Sequence, residues 1–107
     1  MTINITYHGI DSTPAIAQYV EEKMQGLDKY FDGIKHIDVE VGMTTHHHQK
    51  GDIFACKTAV DTLKEVIRVE KEADDLYKAI DKVRDHLRAE LSSLKERIQD
   101  RHQAGNE

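Results

Sequence analysis

The sequence predicts an α+β fold in the order β-α-β-β-β-α, a four-stranded sheet with two helices packed on one face. Three observations predict it. Four stretches alternate apolar and polar residues with a period of two, as half-buried strands do. Two others repeat apolar residues at spacings of three and four, the pattern of amphipathic helices. The connections then set the topology: three strands follow one another through short turns as an antiparallel meander, and the first strand, set apart by a helix, must join the same sheet. A chain of 107 residues makes one domain, with residues 1–101 as the folded part and 102–107 as a short polar tail.

Each element has its own justification. Ile3, Ile5 and Tyr7 alternate with Thr2, Asn4 and Thr6 as the first strand, and Gly9 to Ser12 breaks it. Thr13-Pro14 starts a helix: the threonine hydroxyl caps it, and proline takes the first helical position, where its missing N–H has no partner to lose. Ile16, Val20, Met24 and Leu27 carry that helix to about Tyr30, with Gly33 beyond its end and Glu21-Glu22 on an acidic exposed side. From Ile34 the period returns to two, with Ile37, Val39, Val41 and Met43 inward and His36, Asp38, Glu40 and Gly42 outward. Thr44 to Asp52 is a polar turn region. Ile53 to Val60 forms the third strand with Phe54, Cys56, Thr58 and Val60 inward, because the opposite register buries Lys57. After a turn at Asp61 to Lys64, Glu65 to Lys71 returns around Ile67 and Val69, which leaves Val66 facing outward. Asp74 to Arg101 is one long helix on Leu76, Ile80, Val83, Leu87, Leu91, Leu94 and Ile98.

Several function classes find no support in these residues. There is no nucleophile with a paired base, no Gly-rich phosphate loop and no distinct pair of catalytic carboxylates, so no enzyme, cofactor or small-molecule substrate is expected. His46-His47-His48 are adjacent, so in an extended segment they point to alternate faces. They read as a solvated hairpin turn rather than as a metal site, with RNA contact by the protonated rings as the alternative. Cys56 is the single cysteine and sits beside Phe54 and Ala55, which predicts a buried, inert thiol. No apolar run suits a membrane span and no leader pattern opens the chain; a soluble cytoplasmic protein without membrane contact is expected.

The charge distribution points to binding. The net charge is −5, yet residues 1–75 hold 8 Lys/Arg against 14 Asp/Glu while residues 76–107 hold 7 against 6. An anionic partner is therefore met locally, chiefly by the last helix. Helical spacing sets Lys78, Lys82 and His86 in one row and Arg84, Arg88 and Lys95 in a second, on the other flank of the apolar stripe. As solvated helix faces these residues form pairs such as Asp81 with Lys78 or Arg84, each contributing only tenths of a kcal/mol. Tyr77 suits either stacking on a base or packing against the first helix.

Two segments carry a resemblance. Leu27-Asp28-Lys29-Tyr30-Phe31-Asp32 closes the first helix and Asp75-Leu76-Tyr77-Lys78-Ala79-Ile80-Asp81 opens the last; with Ile3-Asn4-Ile5-Thr6 and Thr13-Pro14-Ala15-Ile16 they resemble the ribosome hibernation promoting factor family, which includes the ribosome-associated inhibitor called protein Y. The resemblance covers nearly the whole chain and agrees with the element order. It implies a stress factor that binds the small ribosomal subunit and its ribosomal RNA, in the groove used by messenger RNA and the A- and P-site transfer RNAs, and that is monomeric off the ribosome. It also implies RNA contact from Lys23 and Lys29 on the first helix and from Lys78, Lys82 and Lys95 on the second. Departures fall at His86, Ser93 and Gly26, where lysines are usual in the family, and Arg84 and Arg88 are candidates to compensate. The long forms of the family add a C-terminal dimerisation domain that this sequence does not reach. The competing reading is a protein-binding regulatory module of the same fold, of the sigma-factor modulation kind, that does not bind ribosomes.

Overall fold

A computed structural model of the chain describes residues 1–44 and 51–105. The elements are β1 (Thr2–His8), α1 (Pro14–Gln25), β2 (Ile34–Thr44), β3 (Ile53–Thr62), β4 (Val66–Ala73) and α2 (Leu76–Gly105). The sheet order is β1-β2-β3-β4. β1 runs parallel to β2, from Thr2↔His36 to His8↔Gly42, and the other two pairings are antiparallel. The expected α+β architecture is thus present, with β1 reaching the sheet through the α1 crossover.

Both helices cover the same face. Val20 and Met24 of α1 and Ala79, Ile80, Val83, Leu87 and Leu91 of α2 are fully buried in one cluster with Ile37, Val39, Val41, Cys56 and Val60. Cys56, Thr58 and Val60 point inward as the charge argument requires, while Val66 stays exposed. Burial pushes the Cys56 thiol up to about 12, which leaves it protonated and inert at neutral pH. The other sheet face is open and polar, carrying Thr6, Asp38, Glu40, Lys57, Arg68 and Glu70.

Local chemistry sets the helix ends. Thr13 Oγ1 accepts a hydrogen bond from the Ile16 N–H at 3.1 Å, and Pro14 follows as the first helical residue. Asp75 does the same for α2, its carboxylate accepting from the Lys78 N–H at 3.3 Å. The first helix was expected to reach Tyr30, but α1 stops at Gln25 and the chain tightens into one 3₁₀ turn over Gly26–Lys29. Gly26 is the reason: glycine is a poor helix former, and last turns commonly tighten this way. Leu27 remains fully buried on that turn. α2 begins at Leu76 rather than Asp74 and continues to Gly105. β3 and β4 each extend two residues beyond the expected Val60 and Lys71, and β4 starts at Val66.

Met43 corrects the inward reading of β2. It lies on the same side as Val41 but is 39% exposed, and its cross-strand partner Phe54 is only half-buried, so the cover given by the helices ends there. Gly42, beside it, is needed for close approach: a Cβ there would strike the His8 carbonyl oxygen at the end of β1.

Candidate nucleic-acid interface

The two helices meet at a junction built from three kinds of contact. The Tyr19 hydroxyl on α1 donates to Asp81 Oδ1 on α2 at 2.6 Å. Its ring meets Tyr77 edge-on, with centroids 4.8 Å apart, so Tyr77 packs against α1. Lys23 Nζ stands 5.1 Å from the Tyr19 ring centroid and 3.9 Å from Asp81 Oδ1. The hydrogen bond to Asp81, then burial and the carboxylate's charge, push the Tyr19 phenol up to about 12. Asp81 was expected to pair with Lys78 or Arg84 on its own helix. It pairs instead across the junction, while Lys78 takes Asp74 at 3.3 Å and Arg84 Nε takes Asp85 at 2.9 Å.

The candidate cations divide between two flanks of α2. Lys82 Nζ donates to the Glu72 carbonyl of β4 at 3.2 Å, which places the Lys78, Lys82 and His86 row beside the sheet edge. His86 also stands 3.4 Å from Glu90. A shallow depression there mixes Lys71, Lys82 and His86 with Glu72, Asp85 and Glu90, so its charges largely cancel. Lys71 was not a candidate, because its place on a strand gave no sign that α2 would come beside it.

The second flank faces α1. Arg84 acts on Tyr19 from this side, and Arg88 and Lys95 follow it along the same row. The turn that ends in Lys29 also packs against α2. Lys29, Arg88 and Lys95 are exposed and, among the described residues, have no hydrogen-bond or ion-pair partner. The structure therefore sets Lys23, Arg84, Arg88 and Lys95 on the flank where α1 and α2 meet, with Lys29 on the adjoining 3₁₀ turn, and sets Lys78, Lys82 and His86 apart from them. Phosphate would meet the unpaired cations at the lowest desolvation cost, since no protein carboxylate has to be displaced.

Among the described residues, no group of three or more His, Cys, Asp or Glu suits a metal ion, and no helix is long and apolar enough to cross a membrane. His46, His47 and His48 lie outside the described residues.

Comparison with known proteins bears on this surface. Residues 3–99 match the family described as sigma 54 modulation protein / S30EA ribosomal protein. The chain is 36% identical over 103 residues to a ribosome hibernation promoting factor of Azotobacter vinelandii, covering 96% of this chain and 91% of that protein. It is 28% identical to a ribosome hibernation promotion factor of Bacillus subtilis, covering 92% of this chain but only 50% of that protein, so it spans about half the length of such longer relatives. Among solved structures it is similar to the N-terminal domain of Thermus thermophilus protein Y, with TM-score 0.71 and 30% identity over 88% of this chain and 99% of that one. A ribosomal subunit interface protein from Coxiella burnetii gives TM-score 0.77 at 25% identity, over 89% of this chain and 98% of that one.

Proposed function

Because the chain belongs to the sigma 54 modulation protein / S30EA ribosomal protein family, we propose that it is a cytoplasmic, ribosome-associated hibernation factor. It binds the small ribosomal subunit through ribosomal RNA, in the groove that messenger RNA and the A- and P-site transfer RNAs use, and blocks initiation under stress by occupying that space. No bond is made or broken. The names of the relatives support the ribosome as partner, and one observation supports the mode of contact: among the candidate cations, Lys29, Arg88 and Lys95 are exposed on the helix layer and, among the described residues, have no protein partner to give up.

The candidate contacts then rank by how free each charge is. Lys29, Arg88 and Lys95 are unpaired and meet phosphate directly. Lys23 and Arg84 stand beside them, each next to a carboxylate. Lys78, Lys82 and His86 are held on the β4 side and contribute less. This ranks Lys82 below Arg88 and Lys95, although the resemblance implies RNA contact from Lys82 as well.

A salt titration of binding to purified small subunits tests this. Arg88→Ala and Lys95→Ala should each reduce the slope of log affinity against log salt by about one, and Lys78→Ala should leave it nearly unchanged. If the wild-type chain does not bind at low salt, the ribosome reading is wrong and the protein-binding module is favoured. The open, polar outer sheet face would then be the natural surface for it.

A further inference from the structure

We propose that the outer edge of β1 is a self-association site, where β1 of a second copy pairs antiparallel and joins two four-stranded sheets into one of eight. β1 and β4 are the two edges of the sheet, and an edge strand offers unpaired N–H and C=O groups to any extended chain. The two edges are treated differently. β4 carries Arg68, Glu70, Lys71 and Glu72, and α2 guards it: Lys82 Nζ bonds the Glu72 carbonyl, and Arg97 reaches Glu65, just before the strand begins, at 3.2 Å.

Among the described residues, β1 has no such protection. Its sequence, Thr-Ile-Asn-Ile-Thr-Tyr-His, holds no Lys, Arg, Asp, Glu or Pro in a chain that is 33% charged. The register with β2 is unbroken from end to end, so no bulge turns the edge away. Among the described residues, no side chain donates to or accepts from its backbone.

The occupant follows from the pattern, because the strand is complementary to itself. Pairing about a two-fold axis at Ile5 sets Ile5 against Ile5 and Ile3 against Tyr7 on the helix side, where all three are only half-buried. On the open face it sets Asn4 against Thr6 and Thr2 against His8. A shift of one residue would oppose apolar with polar positions throughout, so this register is specified. One pair of short strands buries less than the roughly 1,000 Å² of a stable interface, so the association is weak and the monomer is the dilute form. Each copy carries a net charge of −5, so pairing strengthens as salt screens the repulsion, opposite to the salt response of RNA binding.

Sedimentation of the full chain without ribosomes tests this independently of its function. The sedimenting mass should rise toward twice that of the monomer as concentration and salt increase. Asn4→Lys/Thr6→Lys places lysine opposite lysine across the axis, and should weaken association about ten-fold or more with an unchanged melting temperature. Asn4→Lys/Thr6→Glu places lysine opposite glutamate, and should associate at least as well as the wild type at low salt. A wild type that stays monomeric at all concentrations and salts overturns the proposal, as do two double variants that associate equally.

Discussion

The Tyr19 hydroxyl donates to Asp81 Oδ1 across 2.6 Å and so ties the middle of α1 to the second turn of α2. Asp81 lies 3.9 Å from Lys23 as well, so one carboxylate both fixes the helix pair and restrains a cation that would otherwise face a partner. The two roles predict opposite effects on stability and affinity. Asp81→Ala should lower stability by about 1 kcal/mol through the lost hydrogen bond. It should also tighten binding to small subunits at low salt, because Lys23 is freed.

The phenol also gives a pH signature. Tyr19 is raised from 10.0 to about 12, so its neutral form contributes stability in full below pH 10, and that contribution is lost as pH rises toward 12. Titration of the Tyr19 ring carbons by NMR should show ionisation near 12 in the wild type, and in Asp81→Ala it should move back toward 10. A wild-type Tyr19 that ionises near 10 would contradict the assignment.

Gly42 sets how closely β1 lies against β2. A methyl group there meets the His8 carbonyl, which is backbone and has little room to yield. Gly42→Ala is expected to destabilise the fold by about 1–3 kcal/mol, as overpacked sites do. Chemical denaturation measures this, and β1 amides should lose more hydrogen-exchange protection than those of β3.

Gly26 offers the reverse case. A side chain built there meets nothing within 4 Å, and the backbone is right-handed helical at φ −63, ψ −14. Gly26→Lys should raise stability by about 0.4–1 kcal/mol through the unfolded state and add a cation near Lys29. Both a higher melting temperature and tighter binding at low salt are expected; a lower melting temperature would show that the 3₁₀ turn needs glycine.

How much of this was legible in the sequence depended on the range of the interaction. The α2 stripe from Leu76 to Leu94 and the inward set Cys56, Thr58 and Val60 were readable because period and charge exclusion act locally. The end of α1 was misread because the apolar spacing continues through Leu27 although the backbone has already tightened at Gly26. Met43 followed the correct alternation, but alternation says nothing about where helix cover stops. The pairing of Asp81 was not readable at all. Local spacing offered Lys78 and Arg84, and only the packing of α1 on α2 supplies Tyr19 and Lys23. The division of the cations into a β4 flank and an α1 flank likewise needed the tertiary structure.

Competition on purified small subunits tests the proposed occupation of the decoding groove. Labelled chain is bound to the subunits, and messenger RNA with initiator transfer RNA is then titrated in while initiation is followed in the same mixture. The RNAs should displace the chain, stoichiometric chain should lower initiation, and excess RNA should restore it. Binding of chain and both RNAs to the same subunit, with initiation unchanged at saturating chain, would contradict it.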